Sequence, residues 1–209
     1  MTLEAHDLAG ARGYAMLFGG LSFRVDAGRA LAVTGANGSG KTTLLRILAG
    51  LSAPSSGAVR WNGDAMAPFD PRLREAVVFH GHLHALKDEL TTLENLASLV
   101  ALAGMRAAPD DLARALDDVA LTRQRQLPAR VLSQGQRRRV GLARLRLLQK
   151  PLWVLDEPVT ALDADGAALL AAMLDEHLAA GGAAVIATHQ PLALPPARCA
   201  TIEVGTARP

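Results

Sequence analysis

A glycine-rich segment, GANGSGKT at residues 35–42, constrains the fold of this chain more than any other feature of the sequence. It matches the phosphate-binding pattern G-x-x-x-x-G-K-[ST] at every fixed position. The apolar run RALAVTG precedes it and is typical of a short buried strand. The segment TTLLRILAGL follows it and predicts a helix whose apolar face contains Leu44, Ile47, Leu48 and Leu51. The sequence therefore predicts a strand, a phosphate loop and a helix in succession.

The residue types in this phosphate loop, residues 35–42, suit an anionic ligand. Backbone N–H groups of glycines can surround phosphate oxygens, and the amino end of the following helix is positively polarised. Lys41 supplies a mobile ammonium group, and the hydroxyl of Thr42 can bind Mg²⁺. The residues that we expect to bind the nucleotide here are Gly35, Ala36, Asn37, Gly38, Ser39, Gly40, Lys41, Thr42 and Thr43.

A second candidate element is the segment PLWVLDEP at residues 151–158. Its apolar residues predict a buried strand that ends in Asp156, and ligands of open α/β sheets bind at the carboxyl ends of the strands. Asp156 is therefore a candidate ligand of Mg²⁺, together with Thr42. Glu157 stands one residue further on and can polarise an attacking water molecule.

The rest of the chain alternates between strand and helix patterns at its two ends. LWVLD and AAVIATH are continuous apolar runs, as expected for strands that are covered on both faces. The segment GAALLAAMLDEHLAAGG between them predicts a helix that ends at Gly181 and Gly182. Residues 92–149 instead show helical periodicity, with Pro109 opening a helix that carries Leu112, Leu116 and Val119. We therefore expect an α/β protein with a parallel sheet and an inserted helical lobe.

The segment LSQGQRRRVGLARL, residues 132–145, begins like a capped helix. Ser133 and Gln136 have the spacing of a capping box, in which each side chain bonds to the backbone N–H of the other residue. An ordinary helix start explains this spacing. The same polarised helix end can also bind an anion, so the two interpretations are compatible.

With these motifs in order, the chain resembles the nucleotide-binding subunits of ATP-binding cassette (ABC) transporters. LSQGQ, residues 132–136, is similar to the family's signature segment L-S-G-G-Q, with Gln134 in place of the first glycine. VTALD resembles the family's D-loop, which implies that Asp163 lies at a subunit interface. ATHQP resembles its switch region, which implies that His189 lies near the γ-phosphate. The resemblance further implies that Ser133, Gln134, Gly135 and Gln136 contact the ATP of the opposite subunit.

The resemblance also implies an architecture and a set of partners. It implies a P-loop NTPase (RecA-like) core with a mostly parallel sheet, an N-terminal antiparallel β part and an inserted helical lobe. Residues 1–209 would form one ATP-binding domain, with the core at about 1–84 and 150–209 and the lobe at about 85–149. The expected cofactors are ATP and Mg²⁺. The expected partners are a second copy of the chain, around two ATP molecules, and a multi-spanning membrane subunit.

Several stretches resemble one branch of this family, the ATP-binding subunits of the haem-exporter complex of cytochrome c maturation. These are GHLHALKDELTTLENL, LSQGQRRRVGLARL, PLWVLDEPVTALD and THQPL. The resemblance implies haem export, or energy for delivering haem to a chaperone, without direct haem contact by this chain. An exporter subunit for a lipid or a drug is the alternative. A P-loop kinase or GTPase is less favoured, because the signature segment argues against a kinase and no guanine-reading N-K-x-D motif is present.

The sequence departs from the family at two places. Leu83, between His82 and His84, stands where the family usually has a glutamine that touches Mg²⁺, and a leucine cannot be a metal ligand. No aromatic residue is evident in the position that normally stacks on adenine. Arg12 and Tyr14 are the two candidates for that stacking.

Charge and composition limit the remaining classes of function. The formal net charge is only +2, yet the eight arginines and Lys150 between Val119 and Leu155 are accompanied by no acidic residue. We expect an interface or a solvated face there and no nucleic-acid binding, because Arg137, Arg138 and Arg139 fan out around a helix and aromatic platforms are missing. The single cysteine, Cys199, allows no intramolecular disulfide. With neither a signal peptide nor an apolar run of about 18 residues, the chain is expected to be cytosolic. The resemblance implies a peripheral location on the cytoplasmic face of the bacterial inner membrane, through the membrane partner.

Overall fold

The computed structural model describes residues 1–81, 85–190 and 192–205 of the chain. These residues fall into two compact units. Unit one consists of Met1–His80, Lys150–Pro158 and Met173–Pro209, and unit two consists of Gly81–Gln149 and Val159–Ala172. None of the helices in the described part of the chain is long and apolar enough to cross a membrane.

The described residues form two sets of elements. The strands are β1 (Thr2–Arg12), β2 (Ala15–Asp26), β3 (Ala30–Thr34), β4 (Ser56–Trp61), β5 (Asp64–Met66), β6 (Val77–His80), β7 (Leu152–Asp156), β8 (Ala183–Ala187) and β9 (Cys199–Glu203). The α-helices are α1 (Lys41–Leu48), α2 (Pro71–Ala76), α3 (Thr92–Leu102), α4 (Pro109–Asp118), α5 (Gln134–Leu148) and α6 (Ala164–Ala179).

Unit one contains a parallel sheet with the strand order β6-β7-β8-β3-β9. Every pair of neighbouring strands in it is parallel. All residues of β7 and β8 are buried, which agrees with their continuous apolar sequences. The three strands predicted from RALAVTG, LWVLD and AAVIATH are confirmed as the three adjacent strands β3, β7 and β8.

A second, antiparallel sheet in unit one has the order β2-β1-β4-β5. It confirms the expected N-terminal antiparallel β part. One buried cluster joins the two sheets and α1: Leu3 and Phe18 come from the antiparallel sheet, Val33 and Val185 from the parallel sheet, and Leu44 from the helix. The phosphate loop therefore starts and ends on elements that are anchored in the same core.

The helix after the phosphate loop is shorter than its sequence pattern suggested. Leu44, Ile47 and Leu48 are buried on one face, as predicted. Leu51 does not extend this face, because α1 ends at Leu48 and Gly50 takes the left-handed backbone φ of 71°. Leu51 lies beyond that turn and is 38% exposed, so its assignment to the helix face was wrong.

Unit two is helical, as the periodicity of its sequence indicated. Residues 92–149, all of them described, contain no strand. Helix α3 begins with a capping box between Thr91 and Glu94, and α4 begins at Pro109. Leu112 and Leu116 are buried on α4, and α5 packs against both α3 and α4. The first part of α6 also belongs to unit two, and the helix ends at Ala179, just before the two glycines that were predicted to stop it.

Candidate nucleotide-binding site

The phosphate loop joins β3 to α1 and follows a path that requires glycine. Gly35 has a φ of 139°, and a Cβ there would lie 2.1 Å from the carbonyl oxygen of Val204. Gly40, immediately before α1, has a φ of 104°, and a Cβ there would lie 2.9 Å from side-chain atoms of Leu17 and Phe18. Side chains at both positions are excluded by sterics and by backbone conformation, so the glycine pattern has a physical cause.

Lys41 starts the helix and turns its side chain back over the loop. The ammonium nitrogen Nζ donates hydrogen bonds to the carbonyl oxygens of Gly35, at 2.8 Å, and Ala36, at 3.2 Å. It also lies 3.1 Å from Nε2 of His189. Lys41 is buried, and its ammonium group lies against the carbonyl oxygens of the loop. The structure thus brings together Lys41 and His189, which are far apart in sequence.

Thr42 and Asp156 form the second contact of the site. The hydroxyl Oγ1 of Thr42 donates a hydrogen bond of 2.8 Å to Oδ2 of Asp156. Asp156 is buried at the carboxyl end of β7, against which α1 packs. A hydroxyl and a carboxylate are hard oxygen donors, the type that Mg²⁺ prefers, with water or phosphate oxygens completing its octahedral shell. The pair fits a magnesium ion.

Glu157 follows Asp156 in a strained conformation. Its φ is 50°, in the left-handed region that residues other than glycine seldom adopt, and its N–H donates to the carbonyl oxygen of Ala187 at 2.9 Å. Such strain is often found at functional sites, where the surrounding structure enforces it. Oε1 of Glu157 lies 3.2 Å from Nε2 of His189. Glu157, His189 and Lys41 are therefore joined in a chain of contacts.

The signature segment, residues 132–136, lies in unit two. Ser133 is the N-cap of α5: its Oγ accepts from the N–H of Gln136 at 3.2 Å, and Oε1 of Gln136 accepts from the N–H of Ser133 at 2.9 Å. This confirms the predicted capping box. Gln134 is exposed in the first turn, and Gly135 follows it.

Asp163 is also a helix cap, a feature that the sequence analysis did not predict. Its Oδ1 accepts a hydrogen bond of 2.9 Å from the N–H of Gly166 at the start of α6. The same oxygen accepts from Nη2 of Arg139 at 2.5 Å. Both hydrogen bonds stabilise the carboxylate and lower the pKa of Asp163, with the larger effect coming from Gly166. The spacing from Asp163 to Gly166 is the sequence signal that would have identified the cap.

The arginine-rich segment is compensated by acids from elsewhere in the chain. Arg137 donates to Asp88 at 2.6 Å, and Arg125 pairs with Asp117. Arg138 is only 1% exposed, so the prediction that this segment is an interface or solvated face was wrong for that residue. Because acids outside residues 119–155 neutralise several of the arginines, the segment is not a simple basic patch.

Two further sets of residues carry predictions from the sequence. Arg12 and Tyr14 lie at or near the turn between β1 and β2 and are exposed, and their stacking on adenine stays a prediction. His82, Leu83 and His84 lie outside the described residues, so the expectation that Leu83 replaces the family's metal-contacting glutamine stays a prediction as well.

The parallel sheet with its phosphate loop and acidic strand end defines a P-loop NTPase. Residues 18–160 match the family described as ABC transporter. The chain is 51% identical over 197 residues to the cytochrome c biogenesis ATP-binding export protein CcmA of Aromatoleum aromaticum, covering 93% of this chain and 92% of the relative. It is 47% identical over 192 residues to the protein of the same name from Pseudomonas aeruginosa, covering 92% and 95%.

A solved structure described as the ATP-binding subunit of an ABC transporter is similar over 99% of this chain and 87% of that one. The TM-score is 0.83 and the sequence identity is 28%. The chain therefore belongs to the ABC transporter family.

Proposed function

We propose that this chain is the ATP-hydrolysing subunit of a membrane ABC transporter that serves c-type cytochrome biogenesis, by haem export or by supplying energy for delivering haem to a chaperone. The observation that supports ATP hydrolysis is the convergence of Lys41, the pair Thr42–Asp156 and the pair Glu157–His189 at the carboxyl end of the parallel sheet. The names of the relatives, which specify export and cytochrome c biogenesis, support the assignment to the haem branch.

Each residue has a role that follows from its position. The N–H groups of the phosphate loop and the ammonium of Lys41 hold the phosphates of ATP. Thr42 and Asp156 hold Mg²⁺, which when bound neutralises charge on the phosphate oxygens. Glu157 accepts a proton from the attacking water, and its strained backbone fixes the carboxylate at the strand end. His189, in contact with both Glu157 and Lys41, donates a hydrogen bond to the γ-phosphate.

We also propose that two copies of the chain close around two ATP molecules. The capped amino end of α5 offers a positively polarised anion site with Ser133, Gln134, Gly135 and Gln136 around it. In the proposed dimer this end meets the ATP of the opposite copy, and Asp163 lies at the interface. A multi-spanning membrane subunit receives the motion and holds the chain at the cytoplasmic face of the membrane. Residues 1–209 would act as one ATP-binding domain, with the core and lobe at the boundaries given above.

Replacing Glu157 with glutamine tests the hydrolytic role. Glutamine keeps the size of the side chain but cannot accept the proton, so we expect ATP binding to persist and hydrolysis to slow by roughly 10² to 10⁴. A single-turnover assay measures the chemical step directly. Glu75→Gln is the matched control, because Glu75 is an exposed carboxylate on α2 and its loss should leave turnover unchanged. Hydrolysis at the parental rate in Glu157→Gln would show that Glu157 has a different role.

The dimer is tested in the same Glu157→Gln background, where bound ATP persists. Light scattering at saturating ATP should show conversion of monomer to dimer. A pure monomer, also in the presence of the membrane subunit, would contradict the proposed dimer.

Co-purification of the membrane subunit from native membranes tests the cargo branch. Recovery of a lipid or drug exporter would favour the alternative cargo.

Comparison of ATP and GTP turnover tests the GTPase alternative, which predicts faster GTP hydrolysis.

A further inference from the structure

The D-loop segment, residues 159–163, is held on α5 by an ion pair. Arg139, in the second turn of α5, donates from Nη2 to Oδ1 of Asp163. The side chain of Arg139 is only 12% exposed, whereas that of Asp163 is 68% exposed. The side chain of Arg139 is therefore largely buried, whereas the carboxylate that it holds is exposed.

A second contact lies one turn earlier on the same helix. Gly135 approaches the D-loop segment so closely that a Cβ there would lie 2.9 Å from the carbonyl oxygen of Ala161. Gly135 and Arg139 are four residues apart, so they lie on one face of α5. The D-loop segment thus contacts the backbone of the signature segment at Gly135 and is bonded to α5 through Arg139.

The D-loop segment needs such support, because its own conformation is strained. Ala161 has a φ of 65°, in the left-handed region, which costs a residue with a Cβ of the order of 1–2 kcal/mol. The N–H of Leu162 bonds to the carbonyl oxygen of Val159 at 3.1 Å and closes a tight turn. Without an external restraint, this turn can relax toward common backbone angles and carry Asp163 away from α5.

We propose that Arg139 is a positioning residue for ATP hydrolysis, which fixes Asp163 and the D-loop segment against the signature segment so that both enter the interface of the closed dimer as one preformed surface. This inference rests on the proposed function, because it concerns the half-site that the signature segment offers to the opposite copy.

The ion pair does more than cap a helix. Asp163 would cap α6 through Gly166 without any help from Arg139, so the cap alone does not explain the contact. Arg139 additionally fixes the orientation of the Asp163 carboxylate, because a planar guanidinium with several N–H donors holds a carboxylate in a defined orientation. Lysine is a flexible point charge and should restore this orientation only in part.

The test compares four variants of the full chain: Arg139→Gln, Arg139→Lys, Asp163→Asn and the double variant Arg139→Gln/Asp163→Asn. Asparagine keeps an oxygen for the N–H of Gly166, so the cap of α6 survives while the ion pair is lost. The measured quantities are kcat and KM for ATP and the urea concentration at the midpoint of unfolding. The matched control is Arg137→Gln, which removes another arginine of α5 that also pairs with an acid, Asp88.

For Arg139→Gln we expect kcat to fall about tenfold with KM almost unchanged, the scale expected when a preorganised group moves by a fraction of an ångström. Arg139→Lys should recover part of this loss. The double variant should be no slower than the slower single variant, because both single changes break the same contact. Arg137→Gln should keep kcat within about twofold of the parent.

Three results would overturn the proposal: parental kcat in Arg139→Gln, equal losses of kcat in Arg139→Gln and Arg137→Gln, or additive losses in the double variant. Failure of the proposed function is distinguishable, since it is recognised by parental hydrolysis in Glu157→Gln, a variant in which the pair Arg139–Asp163 is intact.

Discussion

Replacing Gly135 with alanine should damage catalysis while hardly affecting the stability of the fold. Gly135 is in the first turn of α5, where alanine is the better helix former by roughly 0.5–1 kcal/mol. The added Cβ, however, would lie 2.9 Å from the carbonyl oxygen of Ala161, whereas ordinary contacts begin at 3.4 Å. The D-loop segment must therefore move by about 0.5 Å, since the helix is anchored by its buried face.

The size of the catalytic effect follows from this displacement. A misplacement of about 1 Å can cost about 10²-fold in rate, so a shift of about half that size should lower kcat about tenfold. In the free energy of unfolding, the helical gain and the cost of the displaced D-loop segment should largely cancel, leaving a change below about 1 kcal/mol. Steady-state ATPase assays and urea unfolding of the same preparation measure both quantities.

A second change, Ala161→Gly, provides the companion variant. Glycine adopts the left-handed backbone at position 161 without strain and lets the carbonyl group turn away from an alanine at position 135. The double variant Gly135→Ala/Ala161→Gly should therefore recover part of the lost kcat. If Gly135→Ala alone keeps kcat within about twofold of the parent, the close approach to Ala161 does not position the site. A collapse of stability with unchanged kcat per folded molecule would refute the reasoning equally.

Two further predictions concern stability. Burial lowers the pKa of His177, which stacks on Trp153 with ring centroids 4.0 Å apart, so the unfolded chain binds a proton more readily than the folded chain. The stability that this histidine contributes is complete above its unfolded pKa of 6.5 and declines as the pH falls below it. His177→Phe keeps a stacking ring but has no group that titrates. Its urea midpoint should therefore change less than that of the parent between pH values above and below 6.5. Asn95 is 2% exposed and bonds to backbone groups of Lys87, Leu90 and Thr91, so Asn95→Ala should cost about 2–4 kcal/mol in urea unfolding. The control Ser98→Ala removes a solvent-exposed hydrogen bond to the carbonyl oxygen of Glu94 and should cost less than about 0.5 kcal/mol; equal losses in both variants would contradict this account.

Local patterns made the phosphate loop and the capping box of α5 predictable. The glycines of residues 35–42 are required by backbone angles and close contacts that any loop of this pattern shares. The capping box at Ser133 and Gln136 involves atoms only three residues apart, so spacing alone specifies it. Buried parallel strands such as β7 and β8 are recognisable because both faces are covered and their residues are apolar, apart from Asp156 at the end of β7.

Contacts between distant segments could not be derived in this way. The sequence placed Asp163 in a D-loop by resemblance, but nothing in the spacing indicated that Arg139 would be its partner. Likewise, three successive arginines on a helix must point in different directions, yet the pattern does not reveal which of them enters the interior. The structure shows that this residue is Arg138, and that Arg137 and Arg139 reach acids in two different segments of unit two.

The start of α5 explains why one short motif carries several constraints. Ser133 and Gln136 cap the helix. Gly135 leaves room for the carbonyl group of Ala161, and Arg139 binds the carboxylate of Asp163. The glycine that the family usually has at position 134 is a glutamine here, and this side chain is exposed in the first turn. A side chain is therefore accommodated at position 134, which is exposed, whereas a Cβ at position 135 would displace the carbonyl group of Ala161. The difference between these neighbouring positions follows from the D-loop segment, which covers only one face of the helix.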